Sequence, residues 1–468
     1  MINFKNKLTF KFIFCAFCLC VFYNGNSQVI KRKFFNAVVF TNLSDSALKA
    51  NKLASGILVN NVLPVGTGAA VGLKNGDILI SINKQPITKS TDLRTGKIGS
   101  LKEGDEVIYE VFRKNQILNL KGNAKARPEE TRVGIEYAYE SVPYKNGFLH
   151  SIVSKPAKNA NTTALPAILF IQGYTCGEMV DLDTLHPYRQ LTDGLTKAGY
   201  IVMRVEKPGV GNCLNTKACS EINFNEEVEA FEAALQHLKK AIPMVDTSKI
   251  HIWGHSLGGI ISPVITAKNP WIKGAIVYGT LNKIWGEYIV DMTRIQNEGF
   301  GLSPVEVENN VRAVRKIVYE IYTQKKSPIQ FATENPELVP ILKEQFMWQP
   351  ASNLIFTRSS EFNQTLDDVN PNEHWSKTKA KVLAIYGEAD IEALNADGAQ
   401  NIVKTVNHYH PGNASFLFLK GTDHSFARVG TIEDGYKTKA DPNYYNIMIR
   451  NFNPELVKVC IDWLKKIE

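Results

Sequence analysis

The sequence predicts an α/β fold: a mainly parallel sheet covered by helices on both faces, with a helical insertion, preceded by a small β-rich unit. Three observations carry this. From about residue 133, short apolar runs end in Gly, Pro or Asp: PAILFIQG (166–173), YIVMRVEKPG (200–209), KIHIWG (249–254), KGAIVYG (273–279), KVLAIYGEAD (381–390) and SFLFLKGTDH (415–424). Such runs are what parallel strands buried on both faces look like. Between them lie amphipathic segments. In Asn225 to Ala241, for example, Val228, Phe231, Leu235 and Leu238 share one helical face. Ahead of all this, residues 53–122 have a different texture, rich in Gly-Asp turns and alternating apolar residues.

Taken in order, the chain opens with Lys5, Lys7 and Lys11, an uncharged run from Phe12 to Tyr23, then Gly25 and Ser27 at −3 and −1 if cleavage precedes Gln28. This is the layout of a cleavable secretory leader, residues 1–27. The apolar run is well short of the ~20 residues that a membrane span needs, and no later stretch is long enough. A periplasmic or secreted location follows as an expectation. Three of seven cysteines leave with the leader. Cys176, Cys213, Cys219 and Cys460 remain, and they allow three full pairings in an oxidising compartment.

The β-rich unit is expected over 34–122. Its pieces are Ala69-Ala70-Val71-Gly72-Leu73, Gly76-Asp77-Ile78, Ile82-Asn83 and a late Gly104-Asp105 before a Val-rich strand. With these it resembles a bacterial-type PDZ domain. The resemblance implies binding of an extended peptide as an added strand, with Ser55-Gly56-Ile57-Leu58 as the matching carboxylate-binding loop. Residues 121–132, KGNAKARPEETR, read as a linker, and 133–468 as the second domain. From 281 to about 379 no core-strand signal occurs. Ser303-Pro304-Val305-Glu306 instead combines a capping box with Pro at the first helical position. Val311, Val314, Val318 and Ile321 then share a face, and Asn335-Pro336-Glu337 opens a further helix. This predicts a helical lid above the sheet, with Trp285, Tyr322, Phe346 and Trp348 reading as its core.

The formal charge of +8 falls to +5 without the three leader lysines, and the excess is not clustered. No nucleic-acid footprint results. There is no phosphate loop and no dinucleotide fingerprint. His408 and His410 have no carboxylate company, so neither a metal nor a cofactor is expected.

The chemistry points to Ser256. Gly254-His255-Ser256-Leu257-Gly258 follows the strand KIHIW and opens the helix LGGIISPVITA, the context of a nucleophile elbow. A serine hydroxyl needs a base. The order for this elbow is Ser, acid, His. Asp390 ends one strand and His424 follows the next, both at C-terminal strand ends where sites of open α/β sheets gather. Asp423 is the rival acid. Two backbone N–H groups are needed for the oxyanion, and Leu257 and Tyr174 are placed to supply them. FIQGYTCGE, MRVEKPGVGNC, WGHSLGG, YGEAD and GTDHSF together resemble the α/β-hydrolase family, and among its members secreted bacterial hydrolases carrying a PDZ-like domain. Gln172-Gly173 stands where His-Gly is common, and Gly211-Asn212-Cys213 where Gly-Asp-Ser is common. The resemblance also implies a Cys176–Cys219 bridge.

The expected activity is therefore an exported serine hydrolase acting on acyl substrates, a carboxylic ester first, through an acyl-enzyme. A peptidase or an acyltransferase of the same fold is the alternative. A non-catalytic PDZ-type peptide-binding protein is the alternative from another class.

Overall fold

A computed structural model describes residues 30–157 and 164–468. The expected leader, 1–27, lies outside the described residues. Two sheets organise the chain. The first is antiparallel and contains β1 (Val38–Asn42), β2 (Ile57–Val62), β3 (Ile78–Ile82), β4 (Gln85–Pro86), β5 (Glu106–Arg113) and β6 (Gln116–Asn123), in the order β1-β2-β3-β5-β6 with β4 beside β3. Ile57, Val59, Leu79, Ile82, Val107, Tyr109 and Val111 fill its core. Arg113 holds the buried Asp77 with two short bonds, 2.6 and 2.7 Å, which ties β5 to the Gly76-Asp77 turn.

This topology corrects one expectation. Ile57 and Leu58 pair with Asn42 and Thr41 of β1 on one side and with Leu79 and Ile78 of β3 on the other. Both edges of that strand are consumed, so a peptide cannot add to β2 at Ile57 and Leu58. The edge strands of this sheet are β1 and β6, and β1 borders the second unit. The sequence pattern shows that a strand is present but not which neighbours it takes.

The second sheet has eight strands in the order β14-β13-β12-β11-β9-β10-β8-β7. They are β7 (Ile135–Tyr144), β8 (Gly147–Pro156), β9 (Leu165–Ile171), β10 (Ile201–Val205), β11 (Val245–His255), β12 (Gly274–Tyr278), β13 (Lys381–Gly387) and β14 (Ala414–Leu419). From β10 to β14 all neighbours are parallel, while β7 and β8 form an antiparallel hairpin at one end. β7 carries no buried-strand signature in the sequence, because most of its residues are half-exposed.

Helices cover both faces. Phe224–Ala241 starts at an Asn223/Glu226 capping box and buries Val228, Phe231, Leu235 and Leu238. Pro187–Lys197 and Glu455–Ile467 cover the opposite face around Leu191, Leu195, Leu456 and Leu464. Each such side chain contributes roughly 1.5–3 kcal/mol on burial.

Between β12 and β13 the chain forms helices only, with short irregular turns. Pro304–Val318 begins with the Ser303/Glu306 capping box and Pro304. Val311, Val314 and Ile321 are buried as the periodicity predicts, while Ile317 shares that burial more fully than Val318. Trp285, Tyr322, Phe346 and Trp348 are buried in the core that joins this insertion to the sheet. No described helix is long and apolar enough to cross a membrane.

The stretch read as a linker is not a solvated tether. It begins inside β6, and its Glu130 is buried, paired with Arg204 at 2.6 Å and Arg189 at 3.2 Å. Arg32, ahead of β1, and Arg127, in that same stretch, reach Asp181 and Glu178 of the second unit. Between the units, beside β1, lies a cleft of about 810 Å³ lined among others by Phe35, Val39, Leu93, Arg127 and Asp181.

Candidate active site

β11 runs into the helix Gly258–Lys268 through a turn in which Ser256 has φ +54°. A non-glycine residue there is strained. Ser256 N–H donates to Tyr278 O at 2.9 Å and helps hold that turn. Space explains the glycines on either side. A Cβ on Gly254 would lie 2.4 Å from Ser262 Oγ, and one on Gly258 would lie 2.2 Å from Ile171 O. Gly173, in the loop after β9, is close too, though less so: its Cβ would sit 3.1 Å from Ser256 Cβ. The backbone leading to Tyr174 therefore passes beside Ser256. Leu257 is buried at the first turn of the helix, where N–H groups are free of helical partners.

Asp390 follows β13 and His424 follows β14. His424 Nδ1 lies 2.9 and 3.0 Å from the two Asp390 oxygens, and Asp390 is fully buried. A carboxylate only accepts, so Nδ1 carries the proton. Asp390 Oδ1 also accepts from the N–H groups of Glu392 and Ala393, which fixes its plane. A Cβ on Gly279 would lie 2.7 Å from Asp390 Oδ2, so the pair packs against that glycine, itself at φ +61°. Asp423, the rival acid, instead accepts from Ser425 and Ala427 N–H within its own turn.

The other ring nitrogen differs from expectation. His424 Nε2 lies 3.3 Å from Glu392 Oε2, and Glu392 is held in turn by Lys439 at 2.6 Å. Among the described residues no hydrogen bond joins Ser256 Oγ to His424. Burial opposes charge on His424, but Asp390 and then Glu392 outweigh it and raise the imidazole to about 9. Burial would also raise Glu392, yet His424 and Lys439 bring it down to about 2. The two shifts act in one sense: each favours charge on both partners of the Nε2 contact.

Further residues complete the site that the sequence reading passed over. His255 donates from Nε2 to His424 O at 2.9 Å and accepts from Tyr188 Oη at 2.6 Å, with its ring 4.6 Å from that of His424. Burial first, then the His424 charge, pushes its pKa well down, so it stays neutral. The sequence signal was its place inside the elbow. Lys207, Glu227 and Arg358 are fully buried together behind Tyr174. Only Lys207, two residues past β10, carried a signal, a charge just beyond a buried strand; Glu227 lies within a helix and Arg358 within the insertion. Cys176 and Cys219 form a disulfide that pins the loop after β9, the pairing the resemblance implied, while Cys213 and Cys460 are free. The Tyr174 side chain stacks on Trp285 and donates to Asn363 Oδ1 at 3.0 Å, so it is embedded in the insertion. Among the described residues no group of His, Cys, Asp or Glu is placed to hold a metal ion.

Fold and site together define a serine hydrolase of the α/β-hydrolase type. Residues 182–421, just over half of the chain, match the serine aminopeptidase S33 family, and the chain belongs to that family; residues 38–122 match the PDZ domain. Among curated proteins, a probable periplasmic serine endoprotease DegP-like from Pseudomonas putida is 38% identical over 76 residues, 16% of this chain and 16% of that protein. A probable serine protease do-like from Buchnera aphidicola is 38% identical over 87 residues, 17% of this chain and 18% of that protein. The chain thus spans about a sixth of the length of these relatives. Among solved structures, Est1E from Butyrivibrio proteoclasticus aligns with 70% of this chain and 99% of its own at 15% identity and a TM-score of 0.41. An esterase from Pyrococcus furiosus aligns with 71% and 91% at 13% identity and a TM-score of 0.42.

Proposed function

We propose that this chain is an exported hydrolase that cleaves carboxylic esters with a Ser256–His424–Asp390 triad. The observation that carries the reading is the doubly held Nδ1 of His424, whose ring packs 4.6 Å from that of His255, the residue preceding a serine on a left-handed elbow. In the reaction His424 first gives up its Nε2 proton to solvent; the neutral Nε2 then turns from Glu392 to Ser256 Oγ and takes its proton as Oγ attacks the acyl carbon. The N–H groups of Leu257 and Tyr174 receive the oxyanion. The C–O bond to the leaving alcohol then breaks, and the alcohol departs with the proton from Nε2. Water attacks the acyl-enzyme with His424 again as base, and Ser256 is restored. Asp390 holds the tautomer and offsets the imidazolium charge. Esters lead because an alkoxide leaves with less protonation than an amine.

The domain division proposed is a leader at 1–27, a PDZ-like unit at 34–122 and a hydrolase unit at 133–468 whose insertion at 281–379 covers the site. Export is supported by the leader pattern, by the Cys176–Cys219 disulfide and by the periplasmic name of the DegP-like relatives. A peptide substrate is the second reading, favoured by the open edge of β1, to which an extended peptide can add as a strand with its side chains in the adjoining cleft.

The test is the intact mass of the purified chain after treatment with a fluorophosphonate, beside Ser256→Ala. One adduct, absent from the variant, is expected, followed by turnover of short-chain p-nitrophenyl esters. A folded protein that takes no adduct and turns over neither esters nor peptides refutes the triad.

A further inference from the structure

The loop after β9 is held by cations. Lys207 Nζ donates to Gly173 O at 2.6 Å and to Tyr174 O at 3.3 Å, and pairs with Glu227 Oε1 at 2.8 Å. Arg358 donates from one end of its fork to Tyr174 O at 2.9 Å and from the other to Glu227 Oε2 at 2.6 Å. All three side chains are fully buried. They come from three separate parts of the chain: the loop after β10, the helix Phe224–Ala241 and the insertion. The guanidinium also lies 3.6 Å over the Phe362 ring. Arg358 follows two residues in the left-handed region, Phe356 and Thr357, and Ser359 N–H donates to Ser220 O at 2.9 Å. The turn that presents Arg358 is therefore itself clamped to the segment carrying Cys219.

Two buried cations and one carboxylate leave an excess positive charge, a costly arrangement that a purely structural role does not require. Its geometry explains it. Gly173 C=O and Tyr174 N–H belong to one planar trans peptide and point in opposite directions. A cation fixed on the oxygen thus fixes where the N–H points. It also draws density from the amide nitrogen and strengthens the N–H as a donor.

We infer that Lys207 and Arg358, bridged by Glu227, are positioning residues that aim and polarise the Tyr174 N–H toward the developing oxyanion, so that the insertion, through Arg358, completes the oxyanion hole. This rests on the Ser256 reading above and deepens it.

The experiment compares wild type, Lys207→Met, Lys207→Arg and Arg358→Lys in the full chain, using a short-chain p-nitrophenyl ester. Alongside turnover it compares two inhibitors: a trifluoromethyl ketone, which forms an oxyanion on Ser256, and the matching secondary alcohol, which does not. Losing one oxyanion donor costs about 10²–10³-fold in kcat. Lys207→Met is expected to lose about 10²-fold in kcat with KM within about 3-fold. Trifluoromethyl ketone affinity should fall in parallel while alcohol affinity holds. Lys207→Arg should recover part of the loss, and Arg358→Lys should show a smaller loss of the same kind. If a folded Lys207→Met keeps kcat and ketone affinity within about 3-fold of wild type, the inference is wrong and the triad stands. Should Lys207→Met show no thermal transition, the double variant Lys207→Met/Glu227→Gln, which removes an opposite pair, takes its place under the same criterion. A wild type that neither turns over ester nor labels at Ser256 overturns the triad and this inference together.

Discussion

Removing the charge of Glu392 should make the enzyme work at lower pH. Glu392 Oε2 lies 3.3 Å from His424 Nε2, the nitrogen that must be unprotonated to accept the Ser256 proton. At that separation the attraction is about 1.3 kcal/mol in bulk water and about 5 kcal/mol at an effective dielectric of 20. Two features place the effect near the lower figure. The Glu392 side chain is 33% exposed, and Lys439 neutralises much of its charge from 2.6 Å. About 1.3 kcal/mol is about one pH unit. The measurement is kcat/KM against pH from 5 to 10 for wild type and Glu392→Gln, which reports the free enzyme. In the wild type kcat/KM should rise through a limb near 9, the value at which His424 loses its proton. In the variant that limb should move about one unit toward acid. A limb that stays put, or moves toward alkali, refutes the assignment of His424 as a base held charged by Glu392.

The same shift carries a stability signature. The His424 pKa is raised on folding, so its contribution is fully present below about 6.5 and lost as pH rises through about 9. Melting temperature should therefore decline across that window, and less in Glu392→Gln. Asp390→Asn should retain the fold, since Oδ1 still accepts from Glu392 and Ala393 N–H, but lose roughly 10³–10⁴-fold in kcat, read as ester turnover. Gly258→Ala should cost about 3 kcal/mol or abolish soluble expression, because the added methyl meets Ile171 O at 2.2 Å; a denaturant titration decides. Cys176→Ala/Cys219→Ala should cost up to about 4 kcal/mol for a loop with a sequence separation of 43, and should lower kcat as the loop after β9 loosens; stability and turnover are measured on the same sample.

Local pattern carried much of this protein by itself. Buried parallel strands read as unbroken apolar runs, so six strands of the larger sheet were legible, along with the amphipathic helix over 225–241, the capped helix at Ser303 and the elbow at Ser256. Strand ends also placed Asp390 and His424, because a side chain just past a parallel strand faces the open end of the sheet. The tertiary structure decided what depends on neighbours. Which edge of the PDZ-like sheet is free follows from strand order, and β2 turned out to be central. The partner of His424 Nε2 is Glu392, a residue distinguished by nothing in its local sequence. The Lys207–Glu227–Arg358 cluster joins residues up to 151 positions apart around one peptide group. Periodicity reports which side of an element is dry. It is silent on which charges meet there, because those contacts are set by how distant elements pack.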